Sequence, residues 1–301
     1  MQTFYSNGKL LLTAEYLVLF GAKALALPTK KGQNLLIRTN TSGQLNWNSF
    51  DEHKKIWFTA IFTIADVINN VQTNDAPTNT LVGLLHQTYK QNPAFWEKAT
   101  GFNVETYLDF NKNWGLGSSS TLLNNVANWT QTNAYKLLQN TFTGSGYDLA
   151  CAQHNYPIQF QIKATNPEVT AVNFNPPFKD QLYFVYLNQK QNSKNAIKEL
   201  LKNKADFSEI IAKADALTEQ IKICDSLADF MHLINEHENL LSEFLQQPKV
   251  KDLLFADFNG SIKSLGAWGG DFVLAASPTN PTAYFKNKGY STIISYQEMI
   301  L

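Results

Sequence analysis

Arginine is almost missing from this chain. Arg38 stands alone, and every other basic residue is a lysine. Arginine supplies the planar fork that suits phosphate and carboxylate best. Anion recognition here must therefore lean on lysines, backbone N–H groups and helix N-termini. Cysteine is scarce as well: Cys151 and Cys224 are the whole inventory, which argues against a disulfide framework or a cysteine-based zinc site. There is no excess of charge. Lys+Arg and Asp+Glu each number 25, so nothing draws the whole molecule to nucleic acid or to an anionic membrane. Long apolar runs are missing too. The longest, Leu10 to Phe20, is interrupted by Thr13 and Glu15 and is too short to span a bilayer. The opening MQTFYSNGKLLL lacks the layout of a signal peptide. The expectation is a soluble protein of a reducing cytoplasm, with no nucleic-acid or membrane partner.

What is present is enough for a real core. The chain has 301 residues, 44% hydrophobic and 17% charged, a globular composition that needs no staple. Residues 9–19 and 35–38 read as strands. Residues 54–69 read as an amphipathic helix, with Ile56, Trp57, Ala60, Ile61, Ile64, Ala65 and Ile68 at helical spacing. Thr80–Tyr89 reads as a shorter helix, and 102–108 alternates as a half-buried strand does. A serine-capped helix is expected from Ser119 to Leu138. Strands follow at 158–162, 169–174 and 181–187. From Ser193 to about Leu265 the chain reads as mostly helical, with breaks near Asn203, Asp225 and Pro248. Strands at 272–275, 282–285 and 291–295 close it. Prolines 157, 167, 176 and 177 suggest a boundary, giving 1–165 and 166–301 as two lobes of an α+β protein.

Chemistry concentrates in one loop. Gly115-Leu116-Gly117-Ser118-Ser119-Ser120 sits between an expected strand and an expected helix. Glycines let the backbone approach closely and turn its N–H groups inward, and a helix start adds partial positive charge. Serine hydroxyls can ligate Mg²⁺ or donate to phosphate oxygens. The loop is neither a Walker A sequence nor GxGxxG, and a Gly/Ser turn before a helix can equally be a plain cap. Two features favour the anion site. No Asp or Glu occurs from Asn111 to Tyr147, and the next carboxylate, Asp148, is presented on Gly144-Ser145-Gly146-Tyr147. Such an acid can be a base or a metal ligand. It can also simply cap the helix that begins there.

Three segments in order resemble the signature motifs of the GHMP kinase superfamily. They are Gly8-Lys9-Leu10-Leu11-Leu12-Thr13-Ala14-Glu15-Tyr16, then Gly115-Leu116-Gly117-Ser118-Ser119, then Gly266-Ala267-Trp268-Gly269-Gly270-Asp271. With Gly146-Tyr147-Asp148-Leu149-Ala150 between the last two, the resemblance covers nearly the whole chain, and its details look most like the phosphomevalonate kinase branch. It implies a two-lobed fold: an N-terminal mixed α/β lobe with a left-handed crossover, and a C-terminal antiparallel sheet covered by helices. It implies ATP- and Mg²⁺-dependent transfer of a phosphoryl group to a small anionic acceptor in the mevalonate route to isoprenoids, by a monomer or homodimer.

Residue by residue, the resemblance puts the ATP phosphates on Gly115 to Ser120, Mg²⁺ on Ser119, and Lys9 at the transferring group. Asp148 is paired with that lysine as base or positioning group. Gly266, Gly269, Gly270 and Asp271, with Tyr16 and Ser193, fall at the acceptor. Lys112, Lys190, Lys194, Lys263 and Arg38 form the pool of cations for an acceptor carboxylate or phosphate. Asn7 replaces a frequent Pro, Ala14 a frequent Gly, and Trp268 a small residue, so Trp268 either narrows the site or lies on the surface. Lys136 and Leu137 occupy the place where mevalonate kinases carry a metal-binding Glu. The alternatives are a mevalonate, sugar or homoserine kinase of the same superfamily, or a scaffold that binds without turnover. His232 and His237, five residues apart, do not share a helix face and do not make a metal pair. Cys151 is expected to be buried.

Overall fold

Two long strands, β1 (Gln2–Leu11) and β2 (Ala24–Thr39), start the fold and pair with each other. The structure is a computed structural model, and it describes residues 1–142, 144–164, 166–189 and 206–301. Two compact units emerge. The first comprises Met1–Gly8, Lys31–Lys112 and Leu116–Gln153; the second comprises Lys9–Lys30, Asn113–Gly115 and His154–Leu301.

In the first unit, the later half of β2 pairs antiparallel with β5 (Phe102–Leu108), from Gln33 opposite Leu108 to Thr39 opposite Phe102. β5 runs parallel to β3 (Gln44–Phe50), which pairs antiparallel with β4 (Ile56–Thr63). The parallel pair β3 and β5 is joined through β4, α1 (Ile64–Asn69), α2 (Ala76–Gln91) and α3 (Pro93–Glu97). Then come α4 (Ser118–Thr130), α5 (Ala134–Thr141) and α6 (Tyr147–Gln153). The alternation read for 102–108 is real: Phe102, Val104, Thr106 and Leu108 are the buried face. Around it Phe95, Trp96, Phe102 and Trp129 meet mostly edge to face, with Phe102 and Trp129 centroids 5.0 Å apart. Each such ring pair adds about 1 kcal/mol beyond area burial.

In the second unit, the early half of β2 pairs with β6 (Ile158–Lys163), and β6 with β7 (Asn166–Ala171). A separate antiparallel sheet runs β11 (Ile293–Ser295), β8 (Leu182–Tyr186), β10 (Phe272–Ala276), β9 (Ser261–Leu265). Helices α7 (Ser208–Ile223), α8 (Leu227–Leu245) and α9 (Val250–Leu254) precede β9, and α10 (Thr282–Asn287) and α11 (Tyr296–Met299) flank β11. This is the mixed α/β architecture with a second, antiparallel sheet that the sequence led us to expect.

Several elements differ from expectation. Residues 56–63 are strand, not helix. Their run of Ile, Trp, Phe and Thr suits a pleated surface, and Ala60 and Phe62 turn inward while Ile61 is 68% exposed. Only Ile64–Asn69 is helical, started by a reciprocal capping box between Thr63 and Asp66. The strand expected at 9–19 stops at Leu11, because Ala14 and Tyr16 both take positive φ and Leu17–Phe20 is a 3-10 turn. The helix expected at 119–138 is two helices, broken where Gln131 turns left-handed. Residues 261–265 form a buried strand, and 282–287 a helix after Pro281. No helix among the described residues is long and apolar enough to cross a membrane.

Candidate active site

The glycine loop owes its shape to two left-handed glycines, Gly115 (φ 67) and Gly117 (φ 87), a region a side chain enters only at a cost. Gly117 is the N-cap of α4 and has no side chain to offer. The serines therefore do not cap the helix as expected. They form its first turn, where Ser120 Oγ donates back to Gly117 O at 2.9 Å. No side chain at the cap position accepts from the first-turn N–H groups, the arrangement that suits an incoming anion.

A buried polar net anchors α4. Ser6 Oγ donates to Asn125 Oδ1 (2.8 Å), Asn124 Nδ2 to Ser6 Oγ (2.9 Å), and Asn125 Nδ2 to Gln33 O (2.9 Å). Thr121 Oγ1 donates to Gln33 Oε1 at 2.7 Å. From α6, Gln153 Nε2 donates to Asn124 Oδ1 at 3.0 Å. Such a net holds the helix start in one place, since each member left alone would be costly.

Ser118 and Ser119 also open onto a cavity of about 240 Å³ built wholly within the first unit. Its walls are Trp47 and Ser49 of β3, Trp57 and Phe58 of β4, Pro77, Thr80, Leu81 and Leu84 of α2, Leu122 of α4, and Phe142. Gln33 and Lys112 add polar edges. Trp47 Nε1 donates to Ser49 Oγ at 3.1 Å, and the Lys112 ammonium stands 5.2 Å from the Trp57 ring centroid. Among the described residues no carboxylate lines the cavity. Sequence reasoning missed these walls, because reading 54–69 as a helix hid the face that β4 presents.

Asp148 lies in the first turn of α6, with Oδ1 accepting from Leu149 N at 3.2 Å. Its turn is set by Gly146 (φ 94), packed against Tyr135 and Leu138. Burial foremost, then the charges of Cys151 and Asp148, pushes the Tyr135 hydroxyl up to about 12. Cys151 is fully buried, as expected.

The second unit holds the rest. Lys9 lies near the end of β1, half-buried. In the third motif Gly266 (φ 74), Gly269 (φ 76) and Asp271 (φ 55) are all left-handed. Gln189 Nε2 donates to Gly269 O at 2.6 Å and Asp271 N to Gln189 O at 3.0 Å. Gly115 packs directly on the Asp271 carboxylate, and Trp114 stacks edge-on to Phe272 at 5.5 Å. Tyr16 OH accepts from Trp268 N at 2.9 Å, which joins the first motif to the third. Burial raises the Tyr16 hydroxyl, and that hydrogen bond opposes the rise.

Two cations leave the expected pool, and two more lie outside the described residues. Lys263 is fully buried between Glu15 (2.6 Å) and Glu238 (3.1 Å), so it faces no acceptor. Arg38 pairs with Glu105 at 3.4 Å on the exposed face of β2. Lys190 and Lys194, with Ser193, lie outside the described residues. Trp268 is buried, not a surface residue, and its Nε1 donates to Pro248 O at 3.1 Å. His237 is buried and accepts from Ala14 N through Nε2 at 2.9 Å.

No family model matches the sequence, and no curated protein matches it. Solved structures do match. The Methanococcus jannaschii mevalonate kinase is 16% identical with TM-score 0.73, covering 97% of this chain and 96% of its own. Streptococcus pneumoniae phosphomevalonate kinase, in complex with phosphomevalonate and AMPPNP, is 17% identical with TM-score 0.66 and 96% of each chain covered. Lactococcus lactis galactokinase complexed with galactose is 14% identical with TM-score 0.68, over 95% of this chain and 88% of its own. The fold is that of the GHMP kinases. Within the second unit Gly115 packs on Asp271 and Trp114 on Phe272; within the first unit Ser118 starts α4 and, with Ser119, edges the aromatic cavity.

Proposed function

We propose that the chain is an ATP-dependent small-molecule kinase whose acceptor is phosphomevalonate. The observation that carries the nucleotide half is the shared rim. A flat base seated among Trp47, Trp57, Phe58 and Leu84 would have its phosphates directed to Ser118 and Ser119, at the open N-terminus of α4. The aromatic walls suit a purine face, and Lys112 suits a ribose or α-phosphate oxygen.

Phosphoryl transfer asks the protein mainly to align groups and neutralise charge. By resemblance, Lys9 brings its ammonium to the transferring phosphoryl group. The same resemblance makes Asp148 the residue that would orient that lysine. An acceptor that is already a phosphate monoester has a second pKa of about 6, so its attacking oxygen needs no strong base. Mg²⁺ would neutralise the nucleotide phosphates when bound. Among the described residues no group of three His, Cys, Asp or Glu side chains is placed to hold a metal ion, so a bound Mg²⁺ would rest mainly on waters and the nucleotide phosphates with one or two protein oxygens. The Ser119 hydroxyl is the protein oxygen we assign to it. The third-motif turn, with Tyr16, receives the acceptor.

ADP release with MgATP against phosphomevalonate, mevalonate, homoserine and galactose tests this. We expect turnover with phosphomevalonate and its loss in Lys9→Ala. Turnover with another acceptor only would sink the acceptor assignment, and none with any would sink the kinase reading.

A further inference from the structure

Behind the third motif lies a cluster that the proposed chemistry does not use. Lys263 Nζ donates to Glu15 Oε1 (2.6 Å), Glu238 Oε1 (3.1 Å) and Ser264 O (2.8 Å). Ser264 Oγ donates to Glu238 Oε2 at 3.0 Å. Next to Glu238 on α8, His237 Nε2 receives Ala14 N–H. All six residues are buried.

The backbone around Glu15 is unusual. Ala14 (φ 62) and Tyr16 (φ 64) both sit in the left-handed region without being glycine. Such strain persists only where the surroundings over-determine it. Here two bonds do so from opposite sides: His237 holds the Ala14 N–H, and the charge-assisted bond from Lys263 holds the Glu15 carboxyl. Tyr16 is thereby aimed at Trp268, whose amide it accepts. The buried charges thus act on the third-motif turn through one residue.

We propose that Glu15 is a positioning residue, clamped by Lys263 so that Tyr16 fixes the third-motif turn and with it the affinity for the acceptor. This rests on the kinase reading for its functional half only. The nucleotide cavity is built by the other unit and is not part of the coupling.

The test is Glu15→Gln, which keeps the side-chain length and an acceptor for Lys263 while removing the charge. It leaves Lys263 paired one-to-one with Glu238, so the fold should hold. Two readouts are taken on the full chain. The first is the Trp268 backbone amide and indole N–H resonances, assigned with Trp268→Phe. The second is steady-state kinetics with phosphomevalonate and MgATP. We expect both Trp268 signals to shift, and the indole signals of Trp47, Trp57, Trp96 and Trp129 to stay in place. We expect the phosphomevalonate KM to rise about tenfold with the ATP KM unchanged, a split that a general loss of folded protein would not produce. Unmoved Trp268 signals, or KM values that rise together, would overturn the proposal. If the wild-type protein phosphorylates nothing, the kinase reading fails by itself. The Trp268 signals then decide the positioning claim alone, a shift supporting it and no shift overturning it.

Discussion

Gly115 rests on Asp271 so closely that a Cβ added to the glycine would lie 2.3 Å from Asp271 Oδ2. One signature motif is therefore shaped to fit the side chain of another, over 150 residues apart in sequence. Two penalties meet at this glycine, the clash and the left-handed φ of 67. Gly115→Ala should cost about 2–3 kcal/mol of stability, and only about 1 kcal/mol when Asp271→Ala is also present, because backbone strain then remains without the clash. Urea unfolding of the four proteins of the cycle measures this. Equal costs in both backgrounds would show that the contact does not shape the loop.

The aromatic cavity should belong to the nucleotide alone. Trp57 is 44% exposed, so Trp57→Ala should leave the fold standing. It should raise the ATP KM about tenfold, the scale of one lost aromatic stacking contact at about 1–3 kcal/mol. The acceptor KM should not move. Because no carboxylate among the described residues lines the cavity to accept the donors on a guanine edge, GTP should substitute poorly for ATP. Initial rates with both nucleotides check both points.

Asp148 should matter less for a phosphate acceptor than for an alcohol. Asp148→Asn keeps the shape of the turn at α6 and removes only the charge. If the residue positions Lys9, kcat with phosphomevalonate should fall about tenfold to a hundredfold. General-base catalysis by a positioned side chain contributes about 10²–10⁴, so the fall with an alcohol acceptor would be steeper. An equal fall on both acceptor types would assign the carboxylate a purely electrostatic role.

Glu15 makes stability depend on pH in a defined direction. Burial, opposed by Lys263, pushes its carboxyl from 4.5 up to about 7. Burial raises Glu238 in the same sense and holds His237 well below 6.5. A carboxyl with a raised folded pKa stabilises while protonated. That contribution is complete below pH 4.5 and is lost as pH climbs through about 7. His237 acts oppositely: its contribution is present above 6.5 and lost as pH falls. Glu15→Gln removes only the first effect. The variant should therefore gain on the wild type between pH 4.5 and about 7, by at most roughly 3–4 kcal/mol. Chemical denaturation across that range gives the difference directly. A constant difference would place the proton elsewhere.

The parts legible in the sequence are those whose signal is local. The strict alternation Phe102, Val104, Thr106, Leu108 could only be a half-buried strand. Gly115, Gly117 and the serines announced a turn into a helix, and Gly266 to Asp271 a second glycine turn. Residues 56–63 failed because Ile56, Trp57, Ala60 and Ile61 satisfy the helical spacing by chance, while pairing with β3 decides the matter from outside the window. The cavity was lost with them, since its walls come from β3, β4, α2 and α4 together. Lys263 looked like a free cation because nothing local shows Glu15 and Glu238 arriving from distant parts of the chain. The sequence leaves Trp268 open between narrowing the site and lying on the surface because its partners, Tyr16 and Pro248, are equally remote.

The most direct test of the kinase account is a ³¹P NMR spectrum of the full chain with MgATP and phosphomevalonate. The account predicts that the phosphomonoester signal gives way to the coupled doublets of a diphosphate monoester while ATP becomes ADP, and that Lys9→Ala abolishes the change. An unchanged phosphomonoester, with ATP either intact or hydrolysed to ADP and inorganic phosphate, would contradict it.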